Sequence, residues 1–285
     1  MMPVVVAPAH GPLLGRLSGL AYVLRVSDPA LAAEAAARAE QYRLNLTCIY
    51  LETGAALADL ALDGLPESAP LAVRVTGLGP MRRLAPRIDR LRRLNARWYL
   101  PARTRAQAAE VRVLSSLGLP VAALLDGPEP ADWEALRELA VYAVYNAAPH
   151  GDIDPFTFLG RRYNIHQQPL DPRAAWFAAP GKFLWADESG ALSSPRFDGG
   201  LEPFPLPIEE LGSGAAELAL DELRCGWREF FIAPHSCQEC EGFRVCLGLF
   251  AAEAGPGCRG LMAEALEGAE RAAEARQARV EPWQP

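Results

Sequence analysis

Four of the six cysteines lie close together near the C-terminus, and their type and spacing suit them to metal chemistry. They are Cys237, Cys240, Cys246 and Cys258, with the spacing C-x2-C-x5-C-x11-C. Two cysteines separated by two residues can direct both sulfurs toward one centre, and the glycines of the segment provide bends that let the chain return with further ligands. Four thiolates complete either an iron–sulfur cluster or a zinc site. The segment is therefore predicted to bind a metal centre.

The spacing favours an iron–sulfur cluster over zinc. Structural zinc sites usually contain two C-x2-C pairs, whereas here Cys237 and Cys240 form one such pair and the other two cysteines stand singly. Zinc is the alternative, and His235 is then a further candidate ligand. Cys225, upstream of the segment, is a candidate for an additional ligand or for a core residue. Cys48 lies in a predicted strand, where we interpret it as a buried apolar side chain.

The composition is that of an ordinary folded protein. The 285 residues carry a net charge of −7, half of them are apolar and 22% are charged, which allows one large or two medium domains. The negative charge argues against general binding to nucleic acid or to an anionic membrane. No run approaches the roughly 20 apolar residues of a membrane span, and the N-terminus lacks the positively charged start of a signal peptide. We expect a cytoplasmic protein, in which clustered cysteines bind metals more often than they form disulfides.

Elements that could position the cysteines alternate through the first half of the chain. The predicted strands are residues 20–26, 47–52, 71–76, 96–100 and 120–125. The predicted helices are residues 28–42, 81–94, 103–117 and 132–145. Strands that alternate with helices of this length indicate βαβ units and a parallel sheet, because a parallel neighbour requires a crossover. The fold class is therefore α/β, and we assign this first unit to residues 1–150.

The second unit, residues 151–285, has a different character. Prolines, glycines and aromatic residues are frequent from 147 to 215 and exclude long helices there. Residues 182–194 are predicted to form a hairpin, with the turn at residues 187–190. A helix over residues 215–231 precedes the cysteines, and a helix over 260–280 follows them. Asp152 and Asp154, on either side of Ile153, are interpreted as turn residues rather than as an acid–base pair.

The cysteine segment and the hairpin resemble parts of a known family. The stretch from Cys237 to Cys258, with Cys246-Leu-Gly-Leu-Phe250 in its middle, resembles the SPASM domain, the auxiliary iron–sulfur domain of radical S-adenosylmethionine enzymes that modify peptides. The hairpin is similar to the one that opens such domains. The resemblance implies that the four cysteines ligate the second of the family's two auxiliary 4Fe–4S clusters. It also implies that the first cluster is missing, because its remaining ligand positions hold Ser193 or Ser194 and Phe250.

The chain departs from radical enzymes in its first half. Those enzymes carry a C-x3-C-x2-C triplet in the loop after the first barrel strand, and the corresponding loop at residues 26–33 contains no cysteine. The resemblance therefore implies a shortened or degenerate radical-SAM-like βα barrel of the TIM-barrel type, which binds no S-adenosylmethionine. The chain is similar to a GeoRSP-type SPASM companion protein. Such a protein assists a radical enzyme, by electron transfer or by binding that enzyme or its peptide substrate, and has no activity of its own.

The remaining motifs give weaker indications. The alternative function is a zinc-stabilised binding module without a redox role, and the third is an independent enzyme at the carboxyl ends of the strands. No nucleotide-binding glycine loop, nucleophile elbow or His–carboxylate pair is visible, so we predict no catalytic residue. A run of arginines is interpreted as a solvated helix face or, alternatively, as a docking patch for an acidic partner. These arginines are Arg82, Arg83, Arg87, Arg90, Arg93, Arg97, Arg103 and Arg105.

Overall fold

The structure, a computed structural model, describes residues 2–9, 13–16, 19–125, 127, 130–164, 171–197, 199–229 and 237–280. The strands are β1 (Val4–Pro8), β2 (Ala21–Val26), β3 (Asn45–Glu52), β4 (Leu71–Arg74), β5 (Ala96–Pro101), β6 (Val121–Leu124), β7 (Ile153–Asp154), β8 (Phe183–Ala186), β9 (Leu192–Pro195) and β10 (Leu201–Pro203). The helices are α1 (Ala30–Gln41), α2 (Met81–Leu84), α3 (Ile88–Arg93), α4 (Arg105–Ser116), α5 (Trp133–Tyr145), α6 (Phe156–Arg162), α7 (Gly214–Cys225), α8 (Phe243–Cys246) and α9 (Pro256–Val280).

The described strands form one sheet in the order β10-β9-β8-β1-β2-β3-β4-β5-β6-β7. Neighbours from β8 to β7 run parallel, and β9 and β10 extend one edge in antiparallel fashion. α-Helices make the crossovers between successive parallel strands from β2 to β7, except between β3 and β4, where the connection contains only a 3-10 turn at Leu57–Asp59. The sheet curls into a half-barrel, which confirms the α/β class and is compatible with a partial βα barrel. A separate domain for the cysteine segment stays a prediction.

The centre of the sheet contains a strand that the sequence analysis did not predict. Strand β1 lies between β2 and β8, and its Val5 and Val6 are fully buried. The hairpin predicted over residues 182–194 is confirmed as β8 and β9, and Phe183 of β8 pairs with Val4 of β1. The sheet and its hydrophobic core therefore continue across residue 150, where we placed the boundary between the two units.

The single helix predicted over residues 81–94 is wrong in detail. Pro86 has no N–H to donate, and the chain forms a 3-10 turn at Ala85–Arg87 between α2 and α3. The arginines of this stretch are also not simply solvated. Arg87 turns back and donates to the carbonyl oxygens of Ala58 and Leu60, while Arg83 pairs with Asp59. Much of this positive charge is thus matched within the chain.

Asp154 lies in a strand and not in the predicted turn. It ends β7, is 3% exposed, and its carboxylate lies 2.5 Å from a guanidinium nitrogen of Arg97. Burial raises the pKa of the Asp154 carboxyl, although the charge of Arg97 opposes that shift. Asp152, by contrast, pairs with Arg161 at 2.7 Å in a more exposed position. The two aspartates therefore have separate structural partners.

The segment around Phe177 packs on one face of the sheet. The strand register places Tyr50 of β3 and Tyr99 of β5 on the same face, and Phe177 packs against both, at centroid distances of 5.6 Å and 6.1 Å. The Tyr99 hydroxyl donates to the carbonyl of Ala175 at 2.8 Å, and the Trp185 indole donates to the carbonyl of Phe177 at 3.0 Å. The segment around Phe177 therefore covers the face that lines the interior of a closed βα barrel.

The last helix brings a cysteine with it. Helix α9 begins at Pro256, four residues before the predicted start, so Cys258 lies in its first turn. It packs along α5 and α6, and Arg276 donates to the carbonyl of Tyr163 at 2.8 Å. Within the part of the chain that the structure describes, no helix combines the length and the apolarity that crossing a membrane demands.

Candidate metal centre

Short elements near the C-terminus carry the four predicted ligands. Cys237 begins a turn closed by the N–H of Cys240, which donates to the Cys237 carbonyl at 3.2 Å. Cys246 ends α8, and Cys258 lies in the first turn of α9. All four are free thiols. Cys237, Cys246 and Cys258 are 7%, 5% and 5% exposed, and Cys240 is half-buried.

The thiols of the four cysteines influence one another electrostatically. Burial raises the pKa of the Cys237 thiol, and the Cys258 and Cys240 thiols raise it further. Burial also raises the pKa of Cys258, and Cys240 adds to the effect. The pKa of Cys246 rises to about 12, chiefly through burial and in part through Cys258. Because such effects fade with distance, the segment brings all four sulfurs into one region.

Backbone N–H groups point at two of the sulfurs. Burial dominates at Cys246, but the N–H groups of Phe250 and Leu249 hydrogen bond to its sulfur and oppose the rise in pKa. The chain reaches this position because Leu247 and Gly248 both adopt positive φ, 47° and 76°, and reverse its direction after α8. The N–H of Gly255 acts in the same sense on Cys258. Such bonds stabilise thiolates and tune iron–sulfur potentials.

Apolar side chains and two arginines surround the thiols. Phe243 and Leu247 pack around Cys237, with the partly buried Phe197 and Trp227 beside them. The guanidinium of Arg173, 4% exposed, lowers the pKa of Cys246 against the larger effect of burial, and Arg259 does the same at Cys237 and Cys258. Arg173 also donates to the carbonyl of Phe197 at 2.9 Å. The region thus limits the access of water, and its arginines oppose, without reversing, the rise in thiol pKa that burial causes.

The cysteine segment docks on the carboxyl ends of β5 and β6. Arg103, just after β5, donates to the carbonyl of Leu125, just after β6, at 2.8 Å, and pairs with Glu253 of the loop before Cys258. Trp133, the first residue of α5, packs edge-on against Phe250 at a centroid distance of 5.1 Å. This edge of the sheet is where βα barrels carry their functional sites.

The donor set fits a thiolate-ligated group by its chemistry. The four cysteines are free thiols. Cys237 packs in a small apolar cluster, and Cys246 and Cys258 pack against the main core; N–H groups and arginines act on these sulfurs, and protein iron–sulfur sites use such features. Among the described residues, no three His, Cys, Asp or Glu side chains lie in a geometry that holds a single metal ion. A zinc ion requires its four sulfurs at about 2.3 Å from one centre, whereas a cluster distributes them over several irons.

Three comparisons with known proteins were negative. The chain matches no family model, no curated protein and no solved structure. The likeness to SPASM domains is therefore carried by the cysteine spacing and the hairpin of this chain alone.

The other residues singled out in the sequence lie apart from this region or add nothing to it. Cys225 ends α7, is half-buried, and is not among the groups that shift the pKa values of the four cysteines. Cys48 lies in the hydrophobic core, and burial raises its pKa to about 12. Ser194 is fully buried in β9, where its hydroxyl donates to the carbonyl of Pro195 at 3.2 Å. His235, His10 and His166 fall outside the described residues.

Sequence reasoning missed the arginines and the indole beside the cysteines. Arg173 is more than 60 residues from Cys237 in the chain, and nothing in its surroundings indicates a position beside Cys246. Arg103 was assigned to a run of arginines and to the start of a predicted helix, and Trp133 was noted only as part of the helix predicted over residues 132–145. No local pattern reports these contacts, because they depend on how the cysteine segment docks against the sheet.

Proposed function

We propose that this chain is an iron–sulfur protein that assists a radical S-adenosylmethionine enzyme in modifying a peptide or protein, and that it has no catalytic activity of its own. Cys237, Cys240, Cys246 and Cys258 would ligate one 4Fe–4S cluster. The observation that supports the proposal is that these four thiols are free and that each acts electrostatically on at least one other or is acted on by it. When bound, such a cluster supplies single-electron transfer.

The surrounding residues have distinct roles in this proposal. Arg173 and Arg259 offset the negative charge of the thiolates, and the N–H groups of Leu249 and Phe250 stabilise the Cys246 thiolate. The apolar side chains limit the access of water. These are the properties by which proteins set the potential of such a centre. The contact of Glu253 with Arg103 holds the loop between Cys246 and Cys258 against the sheet.

The first half of the chain supports the assisting role. It lacks the cysteine triplet of radical enzymes, and the segment around Phe177 occupies the face of the half-barrel that such enzymes use for chemistry. The proposal therefore assigns this half to support and recognition, with the radical enzyme and its peptide as partners and S-adenosylmethionine bound by the enzyme alone.

Metal analysis after anaerobic purification tests the proposal. We expect a brown protein with about four irons and four sulfides per chain, and an electron paramagnetic resonance signal after reduction. Cys240→Ser and Cys246→Ser should lose most of the iron, whereas the matched controls Cys48→Ser and Cys225→Ser should retain it. A colourless protein with one zinc per chain would instead establish the zinc-stabilised binding module.

The assisting role has its own test. We expect a radical enzyme with an intact cysteine triplet to be encoded beside this gene and to form a complex with the chain. The enzyme should lose its peptide-modifying activity when the chain is omitted from the assay. Full activity without the chain, or with Cys246→Ser, would contradict the electron-transfer form of the proposal.

A further inference from the structure

A groove separates the outer edge of the sheet from α7. Its volume is ≈ 550 Å³, and strands β9 and β10 form one wall while α7 and the turn after it form the other. The lining combines apolar and charged residues, with Phe197, Phe204 and Leu223 among the apolar ones and four prolines along it. None of the four predicted metal ligands contributes to it. The groove therefore contains no predicted ligand, although its Phe197 also packs beside Cys237.

The wall of the groove includes an edge strand with exposed backbone. The N–H of Arg196 donates to the carbonyl of Gly200, and the N–H of Phe204 donates to that of Leu192. Because hydrogen-bonding direction alternates along an antiparallel strand, Gly200, Glu202 and Phe204 face β9 and Leu201 faces outward with its N–H and carbonyl. Strand β10 is the last strand of the described sheet on this side. Among the described residues, no strand pairs with its outer edge.

The charge of the groove is negative. Glu202, Glu222 and Glu229 line it together with Arg196. Within the described part of the chain, none of these three carboxylates has a hydrogen bond or an ion pair. Some other acidic groups are paired, as Arg105 illustrates with its three carboxylate partners. Three unmatched carboxylates attract a positively charged ligand.

Exposed apolar side chains flank the same groove. Leu218 and Leu201 are 70% and 58% exposed, more than any other large apolar side chain of the described residues. Leu201 belongs to β10, and Leu218 lies one helical turn before Glu222 on α7. Large apolar side chains in such positions mark interaction surfaces when they lie together.

We propose that β10 and this groove bind an extended peptide segment in which basic and apolar residues alternate. A strand added to β10 hydrogen bonds to the outward N–H and carbonyl of Leu201. Its side chains alternate between the two faces of the sheet, so one set meets the carboxylate of Glu202 and the other set lies beside Leu201. The inference rests on the proposed function for the source of the peptide, a peptide-modifying system, but the groove itself does not depend on a bound metal.

Fluorescence polarisation with two matched probes tests the proposal on the full chain. The first probe is a labelled, end-blocked octapeptide of alternating Lys and Val, and the second carries Glu in place of Lys. We expect the Lys probe to bind about tenfold or more tightly than the Glu probe at low salt, and this preference to shrink as salt is added. Equal binding of the two probes would overturn the proposal.

Three variants locate the binding surface. Glu222→Gln combined with Glu229→Gln should weaken binding of the Lys probe about three- to tenfold, whereas Glu217→Gln, on the same helix outside the groove, should leave it unchanged. Leu201→Pro removes the outward N–H that the probe needs, and an edge strand tolerates the substitution. Leu201→Pro should therefore weaken binding of the Lys probe as well. Unchanged affinity in either groove variant would refute the assignment.

Further measurements distinguish peptide binding in the groove from effects on the metal centre or the fold and from dimerisation through β10. Iron content and circular dichroism of each variant report the metal centre and the fold, so a loss of probe binding with full iron content concerns the groove alone. Light scattering reports whether β10 pairs with a second copy of the chain. A dimer that Leu201→Pro converts to a monomer would show that a second copy occupies the edge, and the peptide proposal would then be wrong.

Discussion

Gly257 is the point where the cysteine segment approaches α5 most closely, and replacing it tests how that segment is docked. A Cβ atom at position 257 would lie 2.3 Å from both Cγ and Cδ1 of Trp133 and 2.8 Å from its Cβ. Real Cβ atoms do not come so close. Because Trp133 Cβ and Cγ lie near the backbone, a rotation of the indole cannot clear all three contacts. In Gly257→Ala, the start of α9 and the start of α5 must therefore move apart.

The expected cost follows from two opposing effects. Forcing an extra methyl group into a packed interface costs about 1–3 kcal/mol, while alanine is preferred over glycine in a helix by about 1 kcal/mol. The short contact distances place the steric cost of Gly257→Ala in the upper part of the range of about 1–3 kcal/mol. Because the helix preference of alanine offsets part of this cost, we expect the free energy of unfolding to fall by about 1–2 kcal/mol. The movement also takes Cys258, the next residue, away from the other thiols, so the iron content should fall.

Urea denaturation and iron analysis measure these two effects, and Gly255→Ala is the matched control. A Cβ at position 255 meets its nearest atom, the carbonyl oxygen of Glu253, at 3.9 Å, which is an ordinary contact. The control should lie within about 0.5 kcal/mol of the parent and keep its iron. If Gly257→Ala matched the control in both stability and iron content, the docking of α9 against Trp133 would be refuted.

Three further substitutions test the surrounding structure by urea denaturation. Glu253→Ala should lower the free energy of unfolding by about 1.5–3 kcal/mol, because buried Arg103 loses a charge-assisted bond. The control Glu267→Ala, in an exposed helical pair, should cost about 0.5 kcal/mol. Equal costs for the two variants would contradict this account. Burial raises the pKa of the Asp154 carboxyl in the folded state above its value in the unfolded chain. The parent should therefore lose stability as the pH rises above about 4, where the unfolded chain releases this proton more readily. Asp154→Asn, which has no proton to lose, should lose less stability than the parent between about pH 4 and 7. Phe177 has φ 59°, so Phe177→Gly should be at least as stable as Phe177→Ala; a less stable glycine variant would argue against the left-handed conformation.

Much of the half-barrel could be predicted from the sequence, because apolar runs and helical periodicity report local burial. Strands β2 to β6 and helices α1, α4 and α5 were placed within a few residues of their observed bounds. Strand β1 was missed because a short apolar run between Pro3 and Pro8 does not distinguish a central strand from a buried loop. Strand β7 has two residues, and no periodicity can be detected over that length.

The candidate ligands could also be predicted, since cysteine spacing is a property of the chain alone. The surroundings of these ligands could not be predicted from the sequence. The N–H groups that point at Cys246 depend on the left-handed backbone of Leu247, a conformation that leucine rarely adopts and that no propensity predicts. Arg173 and Arg103 approach the cysteine segment from distant parts of the chain, and long-range packing of this kind leaves no local signal in a sequence.

The segment that contains Arg173 connects the two halves of the molecule. Phe177, four residues later, packs on Tyr50 and Tyr99 inside the half-barrel, while the Arg173 guanidinium lies between Asp171, at 3.2 Å, and the surroundings of Cys246. A buried guanidinium is stable only with negative charge nearby, and burial raises the pKa of Asp171, which weakens that carboxylate as a counterion. A thiolate at Cys246 would supply the charge that Arg173 requires. Under the proposed function, ionisation of the cysteines on binding a cluster would stabilise the same short segment that fills the barrel face, so the proposed metal centre and the closed interior would support each other.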